Sequence, residues 1–100
     1  MAILVRFKPV RLSAAEYESV GRKLEERGHW PPEGLLAHVA FGGETGLHVS
    51  EVWDSREQQE QFAQKLMPIL EEEGVSLEGD PQYLDVQSYL FREASSDSGS

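Results

Sequence analysis

The chain has 100 residues, with 9 basic and 18 acidic side chains, no cysteine and a net charge of −9. That length makes one domain with a thin core, burying ~60–65% of its unfolded surface. The charge opposes binding to phosphate backbones and anionic lipid. The absence of cysteine excludes disulfides, thiolate metal sites and a cysteine nucleophile.

Residues 2–8, Ala-Ile-Leu-Val-Arg-Phe-Lys, read as a strand: Ile3, Val5 and Phe7 alternate with Leu4, Arg6 and Lys8, and Pro9 closes it. Met1 to Val5 lacks the basic start and long apolar core of a signal peptide. No apolar run approaches the ~20 residues that span a bilayer. A soluble, cytoplasmic protein is the expectation, with no membrane partner. Arg6, Lys8 and Arg11 are too few to make a nucleic-acid patch.

Ser13-Ala-Ala-Glu16 has the form of a capping box and opens a helix that runs to about Arg27, where Gly28 stops it. Tyr17, Val20 and Leu24 share one face of it. Gly21 either weakens the middle of this helix or lets something pack closely. Pro31-Pro32-Glu33-Gly34 is a turn. Residues 35–41 and 47–53 form two strands joined by Gly42-Gly43-Glu44-Thr45-Gly46, an antiparallel hairpin. Asp54 or Ser55 caps a second helix, and Ser55 with Gln58 repeats the capping-box spacing. Phe62, Leu66, Ile69 and Leu70 form its apolar stripe. Pro68 should kink it or start a separate final turn. A last strand covers residues 83–92, and the Ser/Gly/Asp-rich residues 93–100 read as a disordered tail beyond a domain of residues 1–92.

The order β-α-β-β-α-β predicts the ferredoxin-like α+β fold: a four-stranded antiparallel sheet with both helices on one face. Strict alternation then sorts the strand residues. Ile3, Val5, Phe7, Leu35, Ala37, Val39, Phe41, Leu47, Val49, Trp53, Leu84, Val86 and Leu90 should meet the helices. Glu51 shares that phase and has no evident place there. The open face should carry Leu4, Arg6, Lys8, Leu36, His38, Ala40, His48, Ser50, Val52, Tyr83, Asp85, Gln87, Tyr89 and Phe91. This mixed surface suits a half-closed cavity between two sheets.

His38 and His48 are the candidate catalytic pair. A hairpin centred on Gly43 sets them opposite one another, and one centred on Glu44 sets them diagonal, ~7–8 Å apart. A half-residue slip of the centre would separate them. Histidine titrates near neutral pH and can act as a general base without a cofactor. The plain alternative is two hydrogen-bonded histidines in a dimer cavity. Arg6, Ser50, Tyr89, Val52 and Leu36 are candidate ligand-binding residues. Arg6 with Asp85 either grips a carboxylate or forms an ion pair. Trp53 shares parity with Leu47 and Val49 and should be structural. Metal binding needs a third ligand, and Asp54, which has matching parity, sits at the far end of the strand, so no metal is expected. No nucleophile elbow, phosphate loop or zinc-binding helix motif is present.

The chain resembles the dimeric α/β-barrel superfamily, which includes antibiotic-biosynthesis-monooxygenase-like domains, and is most similar to its small uncharacterised members. The carrying residues are Glu16-Tyr17, then Pro32-Glu33-Gly34-Leu35-Leu36-Ala37-His38, then Val52-Trp53-Asp54-Ser55 followed by Phe62, and Pro68-Ile69-Leu70 with Gly74. The match covers roughly residues 2 to 92. The resemblance implies a homodimer whose open sheet faces pack across a twofold axis and enclose one cavity per subunit. It implies activities ranging over cofactor-free oxygenation of aromatic polyketides and quinols, haem degradation and lactone isomerisation. The haem-degrading branch has an asparagine in the first strand and a tryptophan and histidine in the second helix. Here the first strand has no asparagine, Phe62 takes the tryptophan's place, and the second helix has no histidine, so haem degradation is not expected. His38 matches a histidine that follows Gly-x-x-x in the uncharacterised members.

The leading expectation is a homodimer that binds a small apolar or aromatic molecule and acts as a cofactor-independent monooxygenase or isomerase, with no cofactor. The alternative is a non-catalytic binding or accessory module. A third reading is a stress-related or assembly protein whose dimer surface is its whole function.

Overall fold

The computed structural model describes residues 2–43, 46–90 and 92. In chain order these form β1 (Ile3–Phe7), β2 (Pro9–Val10), α1 (Ala14–Glu26), β3 (Leu35–Gly43), β4 (Gly46–Trp53), α2 (Arg56–Glu72), β5 (Ser76–Leu77) and β6 (Gln82–Asp85). The main sheet is antiparallel with order β3-β4-β1-β6. Each helix carries the chain past one occupied slot of the sheet, so the ferredoxin-like α+β arrangement is as expected. The tail at 93–100 and Phe91 lie outside the described residues.

The helix termini follow their local chemistry. Ser13 Oγ accepts from the Glu16 amide at 3.1 Å, and Glu16 Oε1 accepts from the Ser13 amide at 3.0 Å, a complete capping box. Gly28, at φ 73°, follows the end of α1. Ser55 caps α2 by accepting from the Gln58 amide. Gln58 does not complete a box, because its Oε1 accepts instead from the Ser55 hydroxyl. α2 continues through Pro68 rather than ending there. The carbonyl that Pro68 cannot satisfy belongs to Gln64, and both residues are exposed, so water can take its place.

β2 and β5 were not expected. They pair Pro9 with Leu77 and Val10 with Ser76. Two-residue strands are too short to show any periodicity. The Leu47 amide also donates to the Leu12 carbonyl at 2.9 Å. These bonds close the end of the molecule where α1 begins. The core lies between sheet and helices, with Val5, Trp53 and Ile69 fully buried and Phe62, Leu24 and Leu70 packed around them.

Register is where structure and expectation part. The hairpin closes on the pair Gly43–Gly46, and above it Phe41 faces His48, Val39 faces Ser50 and His38 faces Glu51. The centre is therefore half a residue beyond Glu44. β4 keeps its expected phase, but β3 is turned over: His38 and Ala40 face the helices, while Ala37, Val39 and Phe41 lie on the open face. An irregularity between Leu35 and Ala37 then returns Leu35 to the side of Trp53. β6 is also turned over. Tyr83 lies opposite Val5 and Leu84 opposite Leu4, so Tyr83 meets the core and Leu84 is 41% exposed. Tyr83 Oη donates to Gln59 Oε1 at 3.0 Å, and the Arg56 guanidinium lies 3.9 Å from its ring centroid.

Candidate functional site

The β3 register carries His38 beneath the helices, next to the one charged residue that alternation had left unexplained there. His38 Nδ1 is 2.6 Å from Glu51 Oε2. Glu51 Oε1 accepts from the Trp53 indole N–H at 3.1 Å. On the other side, His38 Nε2 is 2.7 Å from the Tyr17 hydroxyl. The Glu51 side chain is 5% exposed and that of His38 20%. A carboxylate removed from water is stable only if its oxygens are satisfied, and Glu51 has one donor on each. Among the described residues no buried side-chain polar atom lacks a partner.

The ring stack is aromatic on both sides. Tyr17 lies nearly parallel to His38 at 5.9 Å between centroids, and Trp30 meets it edge-on at 5.2 Å. Burial, and after it the charge of Glu51, pushes the Tyr17 phenol above its usual 10.0. Tyr17 therefore keeps its proton at neutral pH and can donate it in a hydrogen bond.

Tyr17, Trp30, His38 and Glu51 line a cavity of about 360 Å³ between α1, α2 and the sheet. Its other walls are mainly apolar, including Leu12, Val20, Leu24, Val49, Phe62 and Leu66. Gly21 forms part of the α1 wall, and a Cβ placed on it would meet nothing within 4 Å. The space beside Gly21 is thus left open toward the cavity.

The remaining sequence-chosen residues lie elsewhere. His48 is on the open face, stacked on Phe41 at 5.6 Å, so the two histidines are on opposite faces of the sheet and do not form a pair. Arg6, Ser50 and His48 do come together, lining a second, more polar hollow of about 390 Å³ with Lys8, Glu78 and Asp80. Val52 is on the open face opposite Leu4 and Ala37. Leu36 is 38% exposed at the irregularity of β3, and Tyr89 is 49% exposed beyond β6. Neither lines the cavity. Asp85 pairs with Ile3, one step out of phase with Arg6, and makes no ion pair with it. Sequence reasoning missed Glu51 and Trp30 as site residues and placed Tyr17 only as a core contact. The available signal was a glutamate at an inward-phase position between Val49 and Trp53.

No protein-family model and no curated protein matches the chain. Solved structures do. The structural-genomics protein YJCS superposes with a TM-score of 0.63 at 18% identity, over 87% of this chain and 100% of that one. A candidate antibiotic biosynthesis monooxygenase from Chloroflexus aurantiacus gives 0.57 at 15% identity, over 87% and 96%. SnoaB, a cofactor-independent oxygenase from Streptomyces nogalater, gives 0.56 at 16% identity, over 89% and 94%. The chain therefore has the fold of the antibiotic-biosynthesis-monooxygenase-like, dimeric α/β-barrel proteins.

Proposed function

We propose that this protein is a cytoplasmic homodimer that binds a small apolar or aromatic molecule between its sheet and helices and oxidises it with dioxygen, without a cofactor. The observation that carries the reading is His38, braced by Glu51, in the wall of a largely apolar cavity of about 360 Å³. That volume is at the lower end of small-ligand pockets, which run from about 300 to 1,000 Å³. An apolar cavity of about 150 Å³ accepts benzene, so this one has room for roughly two fused rings. The cavity is on the helix side of the sheet, not on the open face.

The chemistry needs only a base. His38 takes the proton of a ring hydroxyl. The resulting anion carries electron density to a ring carbon, which forms a bond to dioxygen. The peroxide regains a proton, and loss of water with the hydrogen of that carbon leaves a second carbonyl. One phenol and one dioxygen thus give one quinone and one water, with the substrate supplying the electrons. The mainly apolar walls favour this, since charge and base act more strongly away from bulk water.

Likeness of fold to an oxygenase supports the reading only by analogy. The homodimer has its own support. Val39 is 54% exposed, Phe41 44% and Leu84 41%, all on the sheet face that the helices leave bare. Large apolar side chains left exposed on a bare sheet face support an interaction site there.

One observation favours the non-catalytic alternative: the Tyr17 hydroxyl already occupies His38 Nε2. Oxygen uptake with quinols and naphthols, together with ligand-induced shifts in melting temperature, separates the two readings. Gly21→Leu is the control, filling the cavity from a helix position. The oxygenase reading expects oxygen uptake by the wild type and none by Gly21→Leu. A melting-temperature shift without turnover would establish the binding module instead. No effect of any such compound on either readout would remove both.

A further inference from the structure

The hydrogen-bonded chain Trp53–Glu51–His38–Tyr17 runs in one direction when Glu51 is ionised and His38 neutral. Trp53 is fully buried and its Nε1–H can only donate, so Glu51 Oε1 must accept. The carboxylate has no proton for His38, so the Nδ1 at 2.6 Å from Oε2 must carry one. A neutral imidazole protonated on Nδ1 has its lone pair on Nε2. The Tyr17 hydroxyl, 2.7 Å away, can then only donate to it. With Glu51 ionised and His38 neutral, donor type assigns every proton in the chain.

We infer that Glu51 is a positioning residue that holds His38 as an acceptor at Nε2, and that Tyr17 is a latch whose hydroxyl occupies this acceptor until a ligand hydroxyl takes its place. This rests on the proposed function, in which the ligand enters the cavity that Tyr17 and His38 line. It adds a chemical requirement: the ligand must bring an acidic O–H on an otherwise apolar ring system. The displaced Tyr17 hydroxyl turns to donate to the ligand oxygen. On proton transfer the ligand O–H bond breaks and the Nε2–H bond forms. The imidazolium is then held by the Glu51 carboxylate, and the ligand anion by Tyr17 and His38. A ligand lacking the hydroxyl would leave the latch closed.

Glu51→Gln isolates the claim. The amide oxygen can still accept from Trp53, and the amide N–H₂ can donate to His38 Nδ1. Every hydrogen bond persists, but the imidazole proton must move to Nε2, and the seat becomes a donor. Nitrogen-15 NMR of His38 at pH 8 should show the Nδ1–H form in the wild type and the Nε2–H form in Glu51→Gln. Calorimetry with 1-naphthol and its methyl ether, 1-methoxynaphthalene, supplies the second readout. The wild type should prefer the naphthol by about tenfold, the effect of one hydrogen bond to a strong acceptor. Glu51→Gln should bind both about equally. Tyr17→Phe, which does not depend on Glu51→Gln folding, should keep the preference because Nε2 is still an acceptor. An Nε2–H wild type, or loss of the preference in Tyr17→Phe, would overturn the latch. Equal binding of the two probes by the wild type would overturn it and leave the cavity reading standing. Binding of neither would overturn both.

Discussion

Removing the His38 ring should strand a charge. In His38→Ala, Glu51 retains only the Trp53 indole, and its side chain is 5% exposed, so water replaces the imidazole only in part. An orphaned buried acceptor costs about 1–3 kcal/mol, more when it is charged, and breaking a full buried ion pair, which a neutral imidazole does not make, costs about 3–5 kcal/mol. His38 itself is 20% exposed and Tyr17 is only half-buried, so some water can reach the gap. The middle of the combined range follows, about 2–4 kcal/mol. For a chain of this size, each kcal/mol lowers the melting temperature by roughly 4–8 °C, so a fall of about 8–32 °C is expected. Urea unfolding at fixed protein concentration measures it, with concentration held constant because a dimer's stability depends on it. The double variant His38→Ala/Glu51→Gln removes the charge along with the ring and should recover about 1–2 kcal/mol of the loss, by the usual coupling of contacting residues. If His38→Ala unfolds within about 0.5 kcal/mol of wild type, the scale of an ordinary surface change, the Glu51 carboxylate does not depend on the imidazole and the account of the buried chain is wrong.

The other predictions concern separate parts of the molecule. Gly34 has φ 92°, and an added Cβ would lie 2.9 Å from the Gln58 Cβ, so Gly34→Ala should destabilise by at least about 1–2 kcal/mol in the same unfolding assay. Gly21→Ala, in a helix with nothing near the new methyl, should instead stabilise by about 0.5–1 kcal/mol. Hydrogen bonds from Arg27 at 2.7 Å and Lys23 at 3.1 Å lower the Glu72 carboxyl from 4.5 to about 2. Its contribution is therefore present above pH 4.5 and lost as pH falls through about 2; carboxyl NMR titration should find that midpoint, and added salt should raise it toward the ordinary value. For the dimer, Val39→Glu and Val52→Asp place a charge on the open face and should reduce the mass seen by light scattering from twice that of the chain to one. Retention of the double mass in both variants would place the interface elsewhere.

Much of the architecture was legible because it depends on local rules. The Ser13–Glu16 pair, the Gly28 stop and the Ser55 cap are satisfied within a few residues of themselves, so their positions mark the helix ends. Tyr17, Val20 and Leu24 reach the core because helical periodicity allows no other side to do so. β1 and β4 kept their expected phases, since each is a central strand whose inward phase carries a fully buried apolar residue, Val5 or Trp53. The edge strands did not. β3 has Leu35, Leu36, Ala37, Val39, Ala40 and Phe41 around its one histidine, so either face could pass as the apolar one. In β6, Tyr83 and Leu84 are both large enough to fill a core position.

The sequence by itself determined the two helices and the four strands of the main sheet, their order and the existence of a bare sheet face, because capping, turn chemistry and periodicity act over short stretches of chain. Only the tertiary structure decided which side of β3 faces the helices. A half-residue shift in hairpin centre reverses every side chain on a strand, and two neighbours, β4 and the helices above it, settle the choice together. That one choice took His38 away from His48 and set it against Glu51, Tyr17 and Trp30, residues from three other segments of the chain.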